Sequence, residues 1–387
     1  MSDLVVRRIG RLTTWAQPVL TDAALVIQDG HVAWVGPDRE LPADLDAMPE
    51  LDAGGAAVLP GLVDCHTHAV WAGSRLDDFV GRLSGAPYSP AGIHSTVAAT
   101  RAASYDELRT FAQRRLTTML ANGTTTVEVK SGYGLTVDDE LKSLDVAAAL
   151  HGPAVTTTYL GAHVVPPDRD RGDYVDEVIQ TLPAARERGA QWCDVFCDEG
   201  AFTVDEARLI LTEARAHGFG LRIHAEQMTH TGAAALAAEL GCASADHLDH
   251  VTAADAKAMA AAGVVAVLVP VASLYTRSGR WDHARTLAAA GCNLAVATDC
   301  NPGTSWCESL PYAMQIACLE MGLAVETVLR AATLGGAKAL RRDDIGHLGV
   351  GARGDLVVLD AAHEADLLAH LGVNSISRTI VGGSPNG

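Results

Sequence analysis

Strand-length apolar runs open and close this chain, and a different rhythm fills its middle. Positions 4–9, 24–28 and 31–35 are rich in Val, Leu and Ile, and Asp29-Gly30 between the last two is a hairpin-turn dipeptide. No helix of length fits before residue 58. At the far end the glycine-rich stretch 349–354 leads into strand runs at 355–359 and 376–381. The two ends, segments 1–58 and 346–387, are therefore expected to build one small composite β-sandwich domain beside a middle domain of residues 59–345.

Inside that middle domain apolar runs alternate with Ala-rich stretches of helical period, the signature of repeated βα units and a parallel sheet. Eight strands are predicted, at 59–66, 124–130, 155–160, 192–197, 220–224, 243–247, 264–269 and 294–298. Helices at 105–121, 138–150, 204–217, 231–240 and 253–262 fall between them. Eight units predict an α/β fold, a closed (β/α)8 TIM-like barrel, whose packed interior leaves chemistry to the carboxyl ends of the strands. Those ends are unusually polar: His66 and His68, Lys130-Ser131-Gly132-Tyr133, Gly161-Ala162-His163, Asp198-Glu199, His224-Ala225-Glu226-Gln227, His247, Pro270 and Asp299.

His66 and His68 stand two apart at the end of the first run, and residues i and i+2 of a strand share a face, so both imidazoles can converge on one cation. His224 ends the fifth run and Asp299 follows the eighth. Three imidazoles and a carboxylate suit zinc or iron. A purely structural role for His66 and His68 would require two buried partners at once. By contrast His217, His230, His283, His363 and His370 lie in predicted helices or polar loops and are expected at the solvated surface. A second metal would need a bridging carboxylate or a carboxylated Lys. The fourth strand supplies no Lys, and Lys130 belongs to the second, so one ion per chain is expected.

Composition narrows the partners. With 387 residues, 48% of them hydrophobic, the chain is long enough for a large core. A net charge of −18 argues against nucleic acid or an anionic membrane surface, yet permits a small anionic substrate beside a local Arg. No signal-peptide core and no run approaching the ~20 apolar residues of a membrane span is visible, so a cytoplasmic protein is expected. The eight Cys form no Cys-x-x-Cys pair and read as buried reduced thiols, with Cys300 beside Asp299 the one nearest the chemistry.

These residues resemble the amidohydrolase superfamily, with His-x-His after the first barrel strand, further His after strands five and six, and Asp after strand eight. The stretches 130–135 (Lys-Ser-Gly-Tyr-Gly-Leu), 160–166 (Leu-Gly-Ala-His-Val-Val-Pro) and 297–304 (Ala-Thr-Asp-Cys-Asn-Pro-Gly-Thr) narrow the resemblance to the imidazolonepropionase family, over nearly the whole chain. The resemblance implies a metal-dependent hydrolase of cyclic amides in histidine degradation, converting 4-imidazolone-5-propanoate to N-formimidoyl-L-glutamate with metal-activated water. It also implies one zinc or iron ion held by His66, His68, His224 and Asp299, with Asp299 and His247 catalytic. Arg75 would clamp the substrate carboxylate, Tyr133, His163 and Gln227 would contact the substrate, and Asn301, Gly303 and Thr304 would line the carboxylate end.

One position departs from the pattern. Some relatives carry a carboxylate where this chain has Gln227, and an amide can hydrogen-bond the ring but cannot trade a proton. Gly132, Gly134 and Gly303 also read simply as turn glycines. Two alternatives stand beside this one: an aminohydrolase of a guanine-like or formimino compound on the same metal set, and a catalytically dead scaffold, although all four ligands remain. A small-molecule substrate is the expected partner, with a homodimer left open.

Overall fold

The computed structural model describes residues 3–45, 48–85 and 92–386; positions 1, 2, 46, 47, 86–91 and 387 lie outside the described residues. The N-terminal strands are β1 (Leu4–Leu12), β2 (Leu20–Gln28), β3 (His31–Pro37), β4 (Glu50–Asp52) and β5 (Ala57–Pro60). Eight more follow: β6 (Leu62–Asp64), β7 (Thr124–Lys130), β8 (Ala154–Ala162), β9 (Trp192–Cys197), β10 (Gly220–Ala225), β11 (Ser244–His247), β12 (Val265–Leu268) and β13 (Leu294–Val296). The chain ends with β14 (Leu356–Leu359), β15 (Ile376–Val381) and β16 (Ser384–Asn386).

Strands β6 to β13 pair in parallel in chain order, the arrangement of the expected barrel. Their residues are almost all buried, as strands covered on both faces must be. Outer helices begin where the sequence supplies caps. Ser104 with Glu107, Thr203 with Glu206 and Thr252 with Asp255 each form a reciprocal capping box. The helix Arg171–Glu187 was not among the expected elements. It carries Pro183 in its interior, which interrupts the helical pattern, yet its inner face, with Tyr174, Val178 and Leu182, is buried.

The ends of the chain meet in one mixed sheet, ordered β16-β15-β14-β5-β1-β2-β3 with β4 also on β1. β1 pairs with β4 through Val5–Arg7 and with β5 through Arg11 and Leu12, and Arg8 between them has a positive φ of 52°. This sheet has its own core, including Val6, Ile9, Leu25, Ile27, Val58 and Leu356. The apolar run that predicts one strand at 59–66 is divided: Leu59 and Pro60 belong to the mixed sheet, and the first barrel strand begins at Leu62. At the switch, a Cβ on Gly61 would lie 2.2 Å from the Thr125 hydroxyl, so only glycine lets the backbone pass.

Candidate active site

Because β6 is only three residues long, the barrel closes beyond its strands. Asp299 N–H donates to the His66 carbonyl (3.0 Å), His68 N–H donates to the Cys300 carbonyl (3.0 Å), and Thr67 and Cys300 form a parallel bridge. Lower down the Asp64 carboxylate accepts from Thr298 N–H (3.1 Å) and its hydroxyl (2.7 Å). The seam therefore carries His66, His68 and Asp299 together. Asp299 Oδ1 lies 3.5 Å from His66 Nε2 and 3.4 Å from His68 Nε2. His224, from the end of β10, brings its Nε2 to 3.3 Å from that of His68.

Donor chemistry and burial fit a divalent cation here. Ligand atoms of His66, His68 and His224 lie within 4.8 Å of one another, as do those of His66, His247 and Asp299. His66 Nε2, His68 Nδ1 and His247 Nδ1 are buried without a hydrogen-bond partner among the described residues. Of these, His66 Nε2 is turned toward Asp299, and an orphaned nitrogen there is costly unless a ligand completes it. Burial is the main cause that holds His66, His68 and His247 well below the ordinary imidazole pKa, and it brings His163 down to about 3. Neutral imidazoles offer the lone pair a metal requires.

Behind the histidines lies a layer of charge that the reading of the sequence did not single out. His66 Nδ1 donates to Asp246 (2.6 Å) and His224 Nδ1 donates to Asp194 (3.1 Å), which leaves each Nε2 facing the site. Lys130, itself fully buried, contacts Glu128 (2.9 Å) and Asp194 (2.7 Å), and Arg222 reaches Asp246 at 3.3 Å. Burial alone would raise the Asp194 pKa, but His224 and Lys130 override it and hold the carboxylate well below its usual range. Burial likewise opposes the charge on Lys130, and Asp194 with Glu128 restores it. A signal for this layer existed in the period of two: Glu128/Lys130 and Arg222/His224 each share one face of a strand, and Asp64/His66 repeat that spacing across the end of β6.

Backbone strain is also present at this rim. Glu226, His247, Leu248 and Asp299 all have positive φ, between 51° and 79°. Glu226 is held there by accepting from the N–H groups of Thr231 (2.7 Å), Gly232 (3.0 Å) and Ala234 (3.1 Å) at the start of the helix Ala233–Leu240. Its role is thus to shape the turn. Asp198 accepts from the N–H groups of Gln227 (2.7 Å) and Met228 (2.8 Å), which turns position 227 toward the cleft.

The cleft above the histidines is lined by His68, Arg75, Tyr133, His163, His224, Gln227, His247, Asp299, Asn301, Gly303 and Thr304, together with Ile93 and Phe196. Of the expected site residues only His66 lies behind this lining, at the barrel seam. Glu140 accepts from the N–H groups of Gly132, Gly134 and Leu135, each at 2.8 Å, and so fixes the loop that carries Tyr133. His163 Nδ1 donates to the Gly132 carbonyl (2.9 Å) and its ring stacks on His68. Asn301 is occupied within its own loop: its amide donates to the Asp299 carbonyl (2.7 Å) and its oxygen accepts from Gly303 and Thr304 N–H (2.8 Å each). Arg75 is 6% exposed and its Nε donates to Asp78.

One expectation needs correction. His283 is not at the surface but 3% exposed, with Nδ1 donating to the Arg280 carbonyl (3.1 Å), because the short helix His283–Ala289 packs that face inward. All eight cysteines are free, and burial pushes the Cys300 thiol well above its ordinary range, which suits a packing role. Among the described residues no helix is long and apolar enough to cross a membrane.

Residues 57–385 match the model of the amidohydrolase family. An imidazolonepropionase of Salinispora arenicola is 47% identical, over 100% of this chain and 99% of that protein. One of Streptomyces avermitilis is also 47% identical, over 93% of this chain and 86% of its own length. Among solved structures, an adenosine deaminase from Xanthomonas campestris with bound zinc superposes with a TM-score of 0.75 at 21% identity, covering 99% of this chain and 92% of that one. An A. niger ochratoxinase superposes at 0.72 and 19%, covering 99% and 95%. At those identities the two structures speak for the fold.

Proposed function

The chain belongs to the amidohydrolase family, and from that premise we propose that it hydrolyses the ring amide of 4-imidazolone-5-propanoate to N-formimidoyl-L-glutamate. The observation that carries this reading is a single cleft with convergent neutral imidazoles at its floor and a buried guanidinium, Arg75, at its wall. The match to imidazolonepropionases along the whole chain supports it. An aminohydrolase acting on a guanine-like base would bring no anion to the Arg75 end of the cleft.

His66, His68, His224 and Asp299 are the residues that would hold one zinc or iron ion. A bound ion of this kind supplies Lewis acidity and lowers the pKa of water from about 15.7 toward ~7. The remaining work belongs to the chain. Asp299 accepts the proton of the attacking water and passes it to the ring nitrogen as the C–N bond breaks. Burial holds this carboxyl well above its ordinary range when no cation is near. A neighbouring positive charge favours the carboxylate that accepts a proton.

His247 faces the cleft with Nδ1 uncommitted and steadies the developing oxyanion. With Nδ1 donating to Gly132, His163 keeps its Nε2 lone pair to accept from a ring N–H. Gln227 orients the ring without exchanging protons, and Arg75 binds the propanoate carboxylate through charge-assisted hydrogen bonds. The enzyme works on a small molecule in the cytoplasm. Elemental analysis of the purified protein alongside a formiminoglutamate-release assay tests the reading, with one metal per chain and turnover expected. A metal-loaded protein that leaves this substrate intact would refute it.

A further inference from the structure

The mechanism above uses Arg75 and leaves its partner unexplained. Arg75 and Asp78 lie three residues apart at the start of the helix Leu76–Leu83, with Arg75 6% exposed and the Asp78 side chain 44% exposed at the rim. Asp78 Oδ2 accepts from Nε of the guanidinium. On either side of the guanidinium stands a glycine. A Cβ on Gly92 would lie 2.0 Å from Arg75 Nη2 and 2.6 Å from Asp78 Oδ2, and one on Gly303 would lie 3.1 Å from Nη1. Gly92 has an ordinary φ of −57°, so its backbone does not require glycine; the space does. Arg82, on the same helix, donates to the Gly303 carbonyl (2.8 Å) and ties that wall to the helix.

We propose that Asp78 is a positioning residue for carboxylate recognition: it holds the Nε edge of Arg75 inside the slot between Gly92 and Gly303, so that Nη1 is turned to the cleft. A long Arg side chain loses much rotamer freedom when it binds, and a guanidinium already fixed at one edge has less to lose at the other. A carboxylate on Nε leaves the opposite edge of the planar fork for a second carboxylate. The structure thus favours a substrate whose anionic group is itself a planar carboxylate.

This inference rests on the reading of Arg75 as the substrate clamp, and steady-state kinetics of the metal-loaded enzyme separates the two. With 4-imidazolone-5-propanoate, Asp78→Ala should raise KM about tenfold with kcat within about twofold, because the lost order acts on ground and transition states alike. Asp78→Asn keeps an oxygen for Nε and should stay within about threefold of the wild-type KM. Gly92→Ala, whose Cβ would crowd both Arg75 Nη2 and Asp78 Oδ2 while keeping the carboxylate, should raise KM as Asp78→Ala does, and it serves as the second test if Asp78→Ala does not fold. The propanamide analogue should lose little in any of these variants. An Asp78→Ala KM that is unchanged or lower, an Asp78→Asn loss as large as the Ala loss, or equal losses for acid and amide overturns the proposal. If Arg75→Met also leaves KM unchanged, it is the clamp reading itself that falls.

Discussion

The floor of the cleft and its carboxylate end are built in opposite ways. Every floor group sits at a barrel strand end or within four residues beyond it: His66 and His68 after β6, His224 on β10, His247 on β11 and Asp299 after β13, all buried. Each of two histidines is held by a carboxylate one layer deeper, and those carboxylates are held in turn by Lys130 and Arg222. The carboxylate end is a loop, Asn301–Thr304, facing the short helix Leu76–Leu83, with one partner, Asp78, nearly half exposed. Strand ends in a closed barrel hold atoms to tenths of an ångström, which proton transfer and metal ligation require. Recognition of a flexible side arm tolerates a looser frame, and loops on a rigid scaffold supply it.

That contrast predicts where substitutions act on kcat and where they act on binding. The largest effect should come from the floor. Asp299→Asn keeps an oxygen for a ligand but removes the proton acceptor, so kcat should fall by about 10² to 10⁴ even with metal in excess. Turnover within about tenfold of wild type in the metal-saturated variant would reduce Asp299 to a ligand and weaken the contrast.

One layer deeper the effect should be smaller and of another kind. Asp194→Asn leaves an acceptor for His224 Nδ1 but removes the charge facing Lys130, and metal affinity should drop by about 10- to 100-fold as read by chelator competition. An unchanged affinity would mean that His224 holds its orientation without the carboxylate.

The smallest effect on turnover should come from a carboxyl that lacks such support, where the change is read in stability instead. Asp249, in the loop after β11, accepts from Ser273 (2.7 Å), and burial raises its pKa to about 7. Its folded pKa exceeds the unfolded value, so the ionised form is penalised in the native state from about pH 4 upward, and fully so above pH 7. Asp249→Asn should therefore match wild type in urea unfolding near pH 4 and gain stability as the pH rises, by up to about 4 kcal/mol at pH 8 at ~1.4 kcal/mol for each pH unit between the two pKa values. A gain independent of pH would point to packing instead. Asp194, at a similar depth, differs because Lys130 and His224 accompany it.

Local pattern was enough for much of this molecule. The alternation of apolar runs and helical stretches located all eight barrel strands, since a strand buried on both faces must be apolar along its length wherever it lies in the chain. The polar residues at the run ends pointed to His66, His68, His224, His247 and Asp299, because a packed barrel leaves its chemistry to that rim. What local pattern could not convey was the meaning of polar residues inside the runs. Glu128, Lys130, Asp194, Arg222 and Asp246 are separated by up to 118 positions, and nothing within each strand says which charge its neighbours bring. Only closure of the barrel sets Lys130 between Glu128 and Asp194 in a medium that excludes water. There the desolvation cost makes every unpaired charge prohibitive and every pairing decisive. The same holds for Asp78 and Gly92: one reads as a surface acid, the other as a helix-start glycine, until the folded chain puts Arg75 between Gly92 and Gly303. Periodicity is written residue by residue, whereas electrostatic partnership depends on distance in space, and that distance exists only in the tertiary structure.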